Sequence, residues 1–148
     1  MAALATTAAE MIGGMTPRLM PGRYVFASLP YRPAPEALTN SRTEALTAAA
    51  LASFREAEGL SLILPLALAE AEGLPVTAPM RLITLQVFSA LEGVGLTAAV
   101  AAALADEGIP CNMVAAHHHD HVFVPEAQAG AALARLLALQ AAAGGAQG

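Results

Sequence analysis

The most regular pattern in the chain is Met80–Ser89, MRLITLQVFS, where Ile83, Leu85 and Val87 alternate with Leu82, Thr84 and Gln86. One face is wholly apolar and the other mixed, which predicts a central β-strand. ALEGVG then reads as a turn. LTAAVAAALADEG reads as a helix in which Leu96, Val100 and Leu104 share one stripe and Gly108 supplies the stop. CNMVAA and HVFVP predict a second and third strand. Pro125 opens EAQAGAALARLLALQ, a helix with Leu133, Leu136, Leu137 and Gln140 at helical spacing. The order over residues 80–140 is β-α-β-β-α, a ferredoxin-like split unit without its final strand. Residues 141–148, AAAGGAQG, cannot supply that strand and are expected to form a disordered tail. The first half of the chain must therefore cover the open edge.

That half offers GRYVFASL and LSLILP as strands, the latter leading into a short helix, LALAEAEG. TEALTAAALAS predicts a helix, YRPAPEALTNSR a loop, and FREAEG the end of a strand and a turn. LILP followed by a helix repeats VFVP followed by a helix sixty residues later, a weak internal repeat. The fold class expected is α+β, with two ferredoxin-like units side by side and helices on one face of antiparallel sheets. The units are placed at residues 1–78, the more degenerate, and 79–140.

Composition narrows the function. A chain of 148 residues forms a core without disulfide or metal. Its charge is −5, and all seven basic residues are Arg, so no basic stripe exists to bind nucleic acid. Cys111, the single cysteine, lies in an apolar run and reads as a small buried hydrophobe. The apolar runs are too short to cross a bilayer, and the N-terminus lacks a cationic start, so a cytoplasmic protein is expected.

Two segments carry candidate chemistry. His117, His118, His119, Asp120 and His121 stand together between two strands. On a continuous strand His117, His119 and His121 would share a face, as a zinc site could use, whereas a hairpin turn would break that alternation. A metal-binding protein built on His117–His121 is thus the alternative function. Gly93 and Gly95 precede a helix, whose open N–H groups suit a carboxylate, although the same glycines suit an ordinary tight turn. GVGLTA also fits a dinucleotide fingerprint, with Asp120 downstream. The strand that follows Asp120 without a crossover helix excludes that fold. No nucleophile and base can be assigned, so no enzyme and no cofactor are expected.

FREAEGLSLILP, together with MRLITLQVFSALEGVGLTAAVAAALADEGIPCNMVAAHHHDHVFVPE, resembles the small bacterial proteins built from two ACT-type domains. The second block is also similar to the ACT units of cytosolic arginine sensors. The resemblance implies regulatory units that pair and bind a free amino acid at an ACT–ACT interface. It places Gly93, Val94, Gly95, Leu96 and Thr97 on the ligand's amino and carboxylate groups, and Ala116, His117, His119 and Asp120 beside its side chain. Asp120 would meet an ammonium or guanidinium group. It also implies a homodimer, in keeping with the prevalence of closed two-fold pairs.

Overall fold

The computed structural model describes residues 4, 5, 7–31, 36–87 and 91–145, without the side chains of residues 36–40. In chain order its elements are α1 (Ala8–Gly14), β1 (Arg18–Leu19), β2 (Tyr24–Pro30), α2 (Glu36–Ala49), β3 (Ala52–Arg55), β4 (Gly59–Pro65) and α3 (Leu66–Ala71). Then follow β5 (Met80–Thr84), α4 (Leu96–Asp106), β6 (Asn112–Ala115), β7 (Asp120–Pro125), a 3-10 turn at Glu126–Gln128, and α5 (Ala129–Gly145). They form two compact units, Gly22–Pro79 and the discontinuous pair Met1–Pro21 with Met80–Gly148. By contacts, residues 1–21 group with residues 80–148, and residues 22–79 form the other unit.

The reason is burial. Met11, Ile12 and Met15 sit in one apolar cluster with Ile83 and Leu85 of the β5 segment, Val122 and Val124 of β7, Val100 and Leu104 of α4, and Leu136 of α5. The start of α1 is fixed by a capping box: Glu10 N–H donates to the Thr7 hydroxyl, and the Thr7 N–H donates to the Glu10 carboxylate. Gln140 Nε2 donates to the Gly13 carbonyl at 3.0 Å, tying the end of α1 to α5.

In this unit β5 pairs antiparallel with β7, and β7 with β6. The missing fourth strand is β1, which pairs antiparallel with β5 through Arg18↔Thr84 and Leu19↔Ile83. Alternation sends Ile83, Val122 and Val124 to the helices, and Leu96, Val100 and Leu104 meet them from α4. Gly108 ends the α4 segment at φ +68, the left-handed stop. Cys111 is only half-buried, packed against this core.

Three elements differ from the sequence pattern. The strand expected over Met80–Ser89 ends at Thr84, and Gln86 takes φ +32 where the chain breaks from the pleat. Phe88 and Ser89 lie outside the described residues. The tail expected from residue 141 continues α5 to Gly145, because Ala143 packs on the core; residues 146–148 are outside the described part. On α5 the buried positions are Ala129, Ala132 and Leu136, whereas Leu137 is exposed, so small side chains face the neighbouring helices.

In the other unit β4 pairs antiparallel with both β2 and β3. Val25, Leu62 and Leu64 face Leu46 of α2 and Leu66 and Ala69 of α3. Helix α2 starts at Glu36, inside the segment expected to be loop. The burial of Leu46 and the helix-favouring run of Glu, Ala, Leu and Arg outweigh Asn40 and Ser41 there. The two Pro-initiated junctions of the internal repeat share one conformation, with Pro65 at φ −55, ψ 134 and Pro125 at φ −55, ψ 140. Among the described residues, no helix is long and apolar enough to cross a membrane.

Candidate functional site

Between the N-terminus of α4 and the β6–β7 hairpin lies an open cavity of about 500 Å³. Gly93, Val94, Gly95, Leu96 and Thr97 line one wall; Ala116, His117, His119 and Asp120 line the other. The nine residues that the resemblance set beside a ligand thus border one space within one unit, whereas His121 is not among its lining. His118 and Ala115 add to the hairpin wall, Ala98 and Ala101 to the helix wall, Leu91 to the rim, and Met11 borders the space from α1.

Gly95 is the N-cap of α4, at φ 114 and ψ −19, with no side chain capping the helix. Its carbonyl accepts from Ala99 N–H at 2.9 Å, which closes the first turn. The first N–H groups of α4 thus have no capping side chain competing for them, next to the cavity. A Cβ at Gly95 would stand 2.6 Å from the Ala8 Cβ, so glycine is required for both torsion and space.

The hairpin explains the histidines. Ala115 faces Asp120 across the strands, and Ala116 N–H donates to the His119 carbonyl at 3.1 Å, so His117 and His118 occupy the tip. The tip breaks the alternation that would have put His117, His119 and His121 on one face. His121 lies instead within β7, away from the cavity lining, with its Nδ1 3.1 Å from the hydroxyl of buried Thr84. The His117 and His118 rings meet edge to face at 4.8 Å, and those of His118 and His119 are 6.3 Å apart. Among the described residues no group of three or more His, Cys, Asp or Glu is placed to hold a metal ion.

Partial burial raises the Asp120 carboxyl above the ordinary carboxylate range, against a smaller lowering by His121 and His119. Burial lowers His121, helped by His119 and opposed by Asp120. Among the described residues the lining therefore offers one carboxylate, three imidazoles, the Thr97 hydroxyl and helix N–H groups without a capping side chain, the rest being apolar or glycine.

The sequence reading missed Met11, because no residue of the N-terminal segment carries a local signal for this cavity. The Thr7-x-x-Glu10 signature could have revealed α1, but not what α1 packs against.

Residues 6–81 and residues 77–137 each match a protein-family model described as ACT domain. The chain belongs to the ACT domain family. No curated protein sequence matches it. Solved structures do. A Vibrio cholerae protein of unknown function, described as a possible transport protein, superposes with a TM-score of 0.75 at 39% identity, over 89% of this chain and 94% of that one. An Agrobacterium tumefaciens protein is similar with a TM-score of 0.64 at 18% identity, covering 85% and 89% of the two chains. The ligand-free regulatory subunit of aspartate kinase from Thermus thermophilus follows at 0.56 and 15%, covering 85% and 97%. The latter two likenesses speak to the ACT fold alone. The first ACT match begins at residue 6, ahead of α1, so it takes in chain that groups with the C-terminal compact unit.

Proposed function

We propose that the chain is a regulatory sensor that binds a free amino acid in the cavity between the α4 N-terminus and the β6–β7 hairpin, without catalysing a reaction. The observation that carries this reading is the convergence of Gly93–Thr97 and Ala116–Asp120 on one space of about 500 Å³. Open N–H groups of α4 suit an α-carboxylate, and Asp120 suits an α-ammonium. The match to ACT domain models along the chain supports a regulatory role. Leu91 and Val94 stand 73% and 80% exposed at the cavity mouth, an apolar rim suited to closure by an ACT unit of a second copy in a homodimer.

The test is a thermal-shift screen of untagged protein against all twenty amino acids. A ligand at a hundred times its Kd stabilises by about 2.7 kcal/mol, a readily measured shift. Repeating the screen in EDTA separates this reading from a metal protein: the shift should persist. Absence of a shift for every amino acid, or its loss on chelation, refutes the proposal.

A further inference from the structure

We infer that the ligand is an α-amino acid with an uncharged aliphatic side chain, and that Met11 sets the side-chain length the cavity accepts. This rests on the amino-acid reading above and narrows it.

The first argument is charge. Among the described lining residues Asp120 is the one carboxylate and none is an Arg. An α-amino acid brings one ammonium, which Asp120 can match. A lysine or arginine ligand brings a second cation, and the remaining ionisable neighbours are His117, His118 and His119, which cannot neutralise it. An acidic side chain likewise finds no guanidinium among the described lining residues. A charge taken out of water without a partner is strongly disfavoured, so a neutral side chain is selected. The sequence expectation gave Asp120 the ammonium or guanidinium of a basic side chain; the charge count gives it the α-ammonium instead.

The second argument is the distribution of apolar surface. Met11 and Leu96 border the cavity while being 1% and 3% exposed, and both belong to the unit's core. They form its core-side wall, opposite in character to the histidine-rich hairpin. Leu96 is fixed as the first residue of α4. Met11 is unbranched with three rotatable bonds, so its length and rotamer set how deep the space runs. Its backbone is held by the Thr7–Glu10 capping box and by Gln140 on the Gly13 carbonyl, so the stop is placed reproducibly. Met11 thus acts as an adjustable floor supplied by the N-terminal segment.

The experiment titrates the full chain at pH 7.5, by calorimetry, with L-2-aminobutyrate, norvaline, norleucine, 2-aminooctanoate and lysine. Norleucine and lysine have the same straight four-carbon side chain, and lysine adds a terminal ammonium. Affinity should rise about fourfold per methylene up to an optimum length and then fall. Norleucine should bind at least about tenfold more tightly than lysine, because lysine's second charge is unpaired. Met11→Ala should move the optimum to longer chains and Met11→Phe to shorter ones, while the near-isosteric Met11→Leu leaves it in place. Lysine binding as tightly as norleucine overturns the inference, as does an optimum unmoved in folded Met11 variants. Should Met11→Ala fail to fold, Met11→Phe and the lysine comparison in the unaltered chain decide. If amino acids bind without these rankings, only this inference falls. If no amino acid binds at all, the sensor reading falls with it.

Discussion

Gly95→Ala tests how α1 and the α4 turn fit together. At φ +114 an alanine is strained, at a cost of about 1–3 kcal/mol for a residue forced into such a region. Its methyl would also lie 2.6 Å from the Ala8 Cβ, far inside the roughly 3.5–4.0 Å of a favourable carbon contact. Because both carbons are fixed to backbone, α1 must move, and overpacking of this kind costs about 1–3 kcal/mol more. The expected total is about 2–6 kcal/mol. Ala8→Gly in the Gly95→Ala background should recover the packing part and leave the torsional part, which a double-mutant cycle reads as coupling. The chain has no tryptophan, so urea unfolding is followed by far-UV circular dichroism, comparing midpoints at constant slope. A Gly95→Ala loss below about 0.5 kcal/mol, the range of an ordinary surface change, refutes the reasoning. So does an Ala8→Gly change that recovers nothing.

Deleting residues 1–15 should unfold or loosen the C-terminal unit, since each of the buried Met11, Ile12 and Met15 contributes about 1.5–3 kcal/mol of burial; a truncated chain that melts cooperatively near the original midpoint and binds no hydrophobic dye would contradict this. Asp120 is raised from 3.8, so its ionisation destabilises the fold, a penalty absent at low pH and complete once the pH exceeds the raised value. Asp120→Asn should therefore raise the melting temperature at pH 7, with the gain fading as pH falls toward 3.8, even as it weakens amino-acid binding. His121 is lowered from 6.5, so stability should decline as pH falls below 6.5, and His121→Asn should flatten that decline in melts from pH 7.5 to 5; an unchanged slope would count against it.

The strands were legible where one side chain in two had to face a core. Ile83, Val122 and Val124 carry that alternation plainly, and Leu96, Val100 and Leu104 mark α4 as plainly. The cavity walls were legible because glycines before a helix and polar residues between strands are local signals. What stayed hidden was non-local. Residues 1–21 hold no long periodic run, and nothing in Met11 or Met15 names the partners that bury them sixty or more positions away. The histidine geometry depended on where the hairpin turned: a register in which Ala115 faces Asp120 puts His117 and His118 at the tip and sends His121 to Thr84. Helix α2 was underestimated because Asn40 and Ser41 resemble loop composition, whereas the burial of Leu46 is a tertiary effect.

The discontinuous unit also sets an order of events during synthesis. Gly22–Pro79 is a continuous stretch, synthesised whole before β5 begins. Residues 8–19 emerge earlier but must wait for β5, α4, β7 and α5, the last of whose core residues is Leu136. At about 5–20 residues per second, that wait is roughly 6–25 s. Through it Met11, Ile12 and Met15 are without the partners from residues 83–136 that bury them in the folded chain. A nascent chain with its translation paused after Pro79 would therefore present a short, methionine-bearing apolar arm, a natural handle for chaperones that recognise such segments.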